Sequence, residues 1–135
     1  MGMELALLRI TAAGIATFII GYIWYHPKLF GGIWIRLSGL SPELVERAHK
    51  RKHFDSILSL AVSVIAAYVM NYIFVLSGIE DASSAIRLAL LIWIGFAVPV
   101  LSGIVLWEQK PLSLYLINIF YWLIALLAMS AILTV

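Results

Sequence analysis

Three polar side chains could do chemistry together in this chain: His26, Glu108 and Asn118, accompanied by Tyr25, Trp107, Tyr121 and Trp122. A carboxylate and an imidazole held at a shared rim can bind a cation or relay a proton, each shifting the pKa of the other. The plainer alternative pairs Glu108 with Lys110 or Lys28 and leaves His26 as the polar end of a helix. A second cluster has metal-ligand spacing: His49 and His53 one helical turn apart, with Glu46 on the same face. Arg47, Lys50, Arg51 and Lys52 surround it and disfavour a cation. Without aromatic or Gly-rich companions, that basic run is no nucleic-acid surface either; it reads as a topology signal whose four cations contact anionic lipid headgroups. The chain has no cysteine, no HExxH, no nucleophile motif and no phosphate loop. No catalytic residue, metal or cofactor is expected.

These residues depend on helices to place them, and the helices are written in composition. Of 135 residues, 64% are hydrophobic and 12% charged, against about 25% charged in a soluble domain. So few polar side chains cannot cover a water-facing surface, and the solvent of most of this chain must be lipid. Four apolar runs reach the roughly 20 residues a helical span needs: 5–25, 57–76, 88–107 and 112–135. Backbone groups in lipid must be satisfied within their own segment, so these are helices, and the fold class is an all-α bundle of four transmembrane helices in a single domain, 1–135. The first run begins with Glu4 rather than a basic cluster and ends in Trp-Tyr-His-Pro, so it reads as a retained span and not a signal peptide. The loop between the first two spans carries Lys28, Arg36, Arg47, Lys50, Arg51 and Lys52, and the turn between the last two adds Lys110. By the positive-inside rule, loop 26–55 is expected in the cytoplasm and both termini outside the cytoplasmic membrane.

Within segment 27–54, Phe30, Ile33, Trp34 and Leu37 share one helical face, which predicts a short helix lying in the membrane surface. Ser41 as cap, Pro42 and Glu43 open a second helix that ends in basic residues. Inside the spans, Ser59, Ser63, Ala67 and Asn71 recur at steps of four; so do Gly95, Pro99 and Gly103, and Ala13, Thr17 and Gly21. Small and hydroxylated stripes let helix backbones approach, so these are expected to be packing faces, with Pro99 kinking the third span.

Several ordered landmarks mark a family. Trp24-Tyr25-His26-Pro27-Lys28-Leu29-Phe30-Gly31 followed by Trp34, then Trp93-Ile94-Gly95-Phe96, then Trp107-Glu108-Gln109-Lys110-Pro111-Leu112, then Leu116-Ile117-Asn118 with Tyr121, resemble the four-helix membrane proteins grouped as domain of unknown function 1761. Glu108 and Asn118 match that pattern; Ser is usual where His26 stands, so the resemblance lends the imidazole no role. It implies a four-helix membrane fold and supplies no activity. The chain is therefore expected to be a non-catalytic accessory or scaffold component of a membrane complex, with lipids and either further copies or a larger membrane protein as partners. The alternatives are a homo-oligomeric transporter or channel with a polar site near Glu108 and Asn118, or a lipid-headgroup enzyme.

Overall fold

The computed structural model describes residues 2–135, which form helices and, among the described residues, no strand. Four helical stretches are long and apolar enough to cross a membrane: Gly2–Ser38, Lys52–Leu76, Ala82–Leu106 and Leu112–Leu133. The first is interrupted. Helix α1 (Gly2–Trp24) ends where His26 turns extended (φ −67°, ψ 141°), and Pro27 then opens a wide π-type turn, Pro27–Gly31, that leads into α2 (Gly32–Ser38). Gly39 closes α2 in the left-handed conformation (φ 68°), which glycine adopts without steric cost. Ser41 caps α3 (Pro42–Lys50) by accepting the Leu44 N–H at 3.3 Å, and α4 (Lys52–Leu76) follows directly.

Asp81 starts the third span, its Oδ2 accepting the Ser84 N–H at 2.8 Å. That span comprises α5 (Ala82–Ile92), a π-helical stretch (Trp93–Ala97), α6 (Val98–Leu101) and α7 (Gly103–Leu106). A tight turn then leads to α8 (Leu112–Leu133). The helices run past the apolar stretches that announce them because polar caps such as Asp81 and basic first turns such as that of α4 can be helical outside the hydrocarbon.

Helices α1 and α8 are central: α1 packs on α4 and α8, while α5 packs mainly on α8. The closest approach is at Gly14, where an added Cβ would lie 2.7 Å from the Cα of Val64 on α4. Around it, Ala13, Thr17, Ser63 and Ala67 are buried, Ala13 and Ala67 in one cluster with Met70, Leu126 and Met129. Small side chains on both helices remove the spacer between backbones, which is how helices associate where lipid offers no hydrophobic drive. Ser63 and Ala67 thus pack, whereas Ser59 is exposed and Asn71 half-buried. A row at steps of four drifts about 40° around the helix per step, so its two ends turn away from the partner its middle meets.

The third span behaves differently. Pro99 has no N–H to give the carbonyl of Gly95, and just ahead of it the helix widens, with the Val98 N–H donating to the Trp93 carbonyl. Beyond it the Ser102 N–H donates to the Pro99 carbonyl, and the Val98 carbonyl accepts the Tyr115 hydroxyl at 2.7 Å instead. Ala85 and Ala89, both fully buried, form the face that meets α8. Gly95 and Pro99 are exposed and Gly103 half-buried, and nothing lies within 4 Å of where a Gly95 Cβ would stand. Of the stripe read as a packing face, Gly95 therefore meets no neighbour among the described residues.

The apolar face that runs into α2 is divided: Phe30, Trp34 and Leu37 are half-buried, while Ile33 is exposed. Phe30 packs on Trp24 with ring centroids 4.5 Å apart, and Trp34 reaches Asn118 of α8. Gly31 makes this fold-back possible, since a Cβ there would collide with the Tyr25 carbonyl oxygen. At the other end of α2, Lys110 Nζ donates to the Ser38 carbonyl at 2.7 Å, placing a cation on a helix C-terminus.

Candidate functional site

The structure does not bring His26, Glu108 and Asn118 together. His26 Nδ1 accepts the Lys28 N–H at 3.2 Å, so the imidazole caps the turn after α1. Glu108 is exposed and, among the described residues, makes no ion pair, neither with Lys110 nor with Lys28. It stands between Trp107, which is 84% exposed, and Gln109, which turns the chain sharply at φ 55°.

Asn118 and Tyr121 do belong to one cluster. Asn118 Oδ1 accepts two hydrogen bonds, from the Tyr25 hydroxyl at 2.8 Å and the Trp34 indole at 3.2 Å. Both lone pairs of the amide oxygen are thereby used. Tyr25 and Tyr121 have ring centroids 5.4 Å apart, and the Tyr121 hydroxyl, lying over Gly21, donates to the Thr17 carbonyl at 3.4 Å. Two tryptophans staple α8 from opposite sides: Trp24 Nε1 donates to the Ile117 carbonyl at 3.0 Å and Trp93 Nε1 to that of Ile119 at 2.6 Å. Each staple uses a second lone pair on a helical carbonyl. Side-chain hydrogen bonds between membrane helices contribute about 0.6 kcal/mol each on average.

A cleft opens against this cluster, at the end of the bundle that carries the long loop. A cavity of about 450 Å³ lies between α1, α4 and α8. Phe18, Tyr22, Tyr25, Tyr121 and Trp122 line its aromatic side, and Lys52, Asp55, Ser56, Ser59 and Ser63 of α4 its polar side. An adjoining cavity of about 590 Å³ shares Tyr25, Asp55 and Ser59 and reaches Trp34 and Asn118. At the rim, Asp55 pairs with Arg51 at 3.3 Å, while Lys52 makes no ion pair among the described residues. Of the other basic residues of the loop, Lys50 pairs with Glu46 at 3.4 Å and Arg47 is exposed. His49 and His53 are exposed.

Sequence reasoning missed Asp55 and the bonding of Trp34. The signal for Asp55 was present, since it stands one step of four before Ser59 on the same row. The cleft can hold a polar headgroup against α4 and an apolar body against the aromatic wall. It ends at the tight α1–α4 crossing, where the buried Thr17 Oγ1 has no hydrogen-bond partner among the described residues. Beyond the crossing, at the opposite end, a separate cavity of about 370 Å³ contains Asn71.

No curated protein and no solved structure matches this chain. The landmarks that carry its family resemblance are largely the residues that hold the fold-back and the staples: Trp24, Gly31, Trp34, Trp93, Lys110 and Asn118. Residues 8–134 match the family described as "Protein of unknown function (DUF1761)", and the chain belongs to that family.

Proposed function

We propose that this protein is a non-catalytic accessory component of the cytoplasmic membrane that holds an amphiphile, headgroup first, in the cleft between α1, α4 and α8. The observation that carries this reading is the two-sided lining, with Lys52, Asp55, Ser56 and Ser59 facing a wall of aromatic rings. A cavity of a few hundred Å³ with an apolar wall and a few convergent polar groups is the usual form of a small-ligand site. The six Lys and Arg residues of loop 26–55 support a cytoplasmic position for the cleft and contact with anionic lipid through Arg47, Lys50, Arg51 and Lys52.

Ser59 is the residue to test, because it lines both cavities and is exposed. Ser59→Phe fills the cleft without touching the α1–α4 crossing. Gentle detergent purification followed by mass spectrometry of bound lipids should show an amphiphile retained by the native protein and by Ser59→Ala, and depleted about tenfold in Ser59→Phe. Equal retention in all three would end this reading.

The exposed Gly95–Pro99 face of the third span favours a second reading, in which that face seats a further copy or a larger membrane protein. Co-purification of a stoichiometric partner that is lost in Gly95→Leu would support it.

A further inference from the structure

The cavity at the chain-termini end is lined by Arg9 of α1, Asn71 of α4, Glu80 of the loop after α4, and Thr134 just past α8. Arg9 stands in the second turn of an apolar helix, where an ionisable side chain is costly and calls for a partner. None is supplied from within. Arg9, Asn71 and Glu80 make no side-chain hydrogen bond to any described residue, and Arg9 and Glu80 form no ion pair although they line the same space. The fourth polar group is spent on its own helix, with Thr134 Oγ1 donating to the Ser130 carbonyl at 2.8 Å. Five guanidinium donors, an amide and a carboxylate thus border about 370 Å³ from three separate parts of the chain.

The charges select the occupant. A simple anion would be repelled by Glu80 and a simple cation by Arg9, whereas a molecule carrying both charges satisfies both. We propose that this pocket binds a phosphoethanolamine-type zwitterion, with its phosphate on the Arg9 guanidinium and its ammonium on Glu80, and Asn71 bonding a phosphate oxygen. Planar bidentate donation makes arginine well suited to phosphate. The remaining wall, with Phe74, Val75 and Leu133, is apolar, as a headgroup still attached to its acyl chains requires. The site is independent of the cleft at the loop end, from which the packed α1–α4 crossing separates it.

The full chain in detergent is titrated with phosphatidylethanolamine, phosphatidylglycerol, diacylglycerol and free phosphoethanolamine, and bound species are counted by native mass spectrometry. Phosphatidylethanolamine is expected to bind at least tenfold more tightly than diacylglycerol. Arg9→Gln should remove that advantage, and Arg9→Lys should keep most of it. Glu80→Gln should erase the preference for phosphatidylethanolamine over phosphatidylglycerol while retaining phosphate binding. Ser59→Phe should change none of these, so failure here is distinguishable from failure of the loop-end reading. Displacement of the lipid by micromolar free phosphoethanolamine would identify the soluble zwitterion as the ligand; resistance to it would identify the lipid. Equal binding by the native protein and Arg9→Gln overturns the proposal, as does binding of diacylglycerol as tight as that of phosphatidylethanolamine. Should Arg9→Gln not fold, Asn71→Leu takes its place, with a loss of at least threefold expected and an unchanged affinity counting against the site.

Discussion

The two ends of the bundle hold similar ingredients and use them in opposite ways. Each has an amide on a long helix, a nearby cation and a nearby carboxylate: Asn118, Lys52 and Asp55 at the loop end, Asn71, Arg9 and Glu80 at the end of the termini. At the loop end the amide oxygen is fully engaged by Tyr25 and Trp34 and the carboxylate by Arg51. At the other end the corresponding groups make no such bond among the described residues. An amide inside a membrane bundle therefore does not announce its role by its chemistry. A satisfied one holds helices together, and an unsatisfied one is available to something else.

The sharpest way to break the comparison is to remove what keeps the ends apart. At Gly14 an added Cβ already lies 2.6 Å from a Val64 methyl and 2.7 Å from its Cα, so no side-chain rotation relieves the collision. Gly14→Leu must move α1 off α4, and overpacking of this kind costs about 3 kcal/mol. Unfolding in mixed micelles measures the loss. Water access to a cysteine placed at Ser63, now buried at the bottom of the loop-end cleft, should rise together with it. If the variant is as stable as the native chain and Ser63 stays protected, the crossing is not the barrier described here.

The amides themselves give the next largest effect. Asn118→Leu strands a tyrosine hydroxyl and an indole N–H in a part-buried site, and stranded donors cost about 1–3 kcal/mol. Measured interhelical bonds in membranes fall toward the low end, so a loss of about 2 kcal/mol is expected. Asn71→Leu strands no donor or acceptor of any described residue and should change stability by less than about 0.5 kcal/mol. Equal losses from the two substitutions would show that the ends are alike after all.

The contrast between the ends was only partly legible in the sequence. Helical spans follow from length and hydropathy, because lipid imposes the same demand on every backbone group. The row Ser59, Ser63, Ala67, Asn71 was legible as a row, but its reading as one packing face ignored the drift of a four-residue step around a helix. Its middle meets α1 and its ends open into two different cavities. Phe30 and Trp34 show the same limit, since helical periodicity gives one apolar face without saying that Phe30 meets α1 and Trp34 meets α8. Glu108 and Asn118 lie toward the same end of their spans in the sequence, yet Glu108 is exposed beside the sharp turn at Gln109. What the sequence withholds is which neighbour each face meets, a property of the assembled bundle rather than of any one helix.

The smallest effect separates the ends by pH. Hydrogen bonding from the Ser84 backbone N–H, then from the Ser84 side chain, holds the Asp81 carboxyl below the usual carboxylate value, with Arg87 adding a minor attraction. A depressed folded-state pKa means that Asp81 stabilises the folded chain fully above the unfolded value of about 4. That contribution is lost as pH falls through the lower folded value. Ser41, which caps α3 at the loop end, does not titrate. Asn caps a helix about as well as Asp and carries no titrating group, so the difference in unfolding temperature between Asp81→Asn and the native chain, slight at pH 7, should shrink as pH falls through the depressed folded value of Asp81. Hydrogen exchange in the first turn of α5 should rise on acidification in the native chain and stay flat in Asp81→Asn, while the first turn of α3 stays flat in both. An acid response of α5 that survives Asp81→Asn would place the titrating group elsewhere.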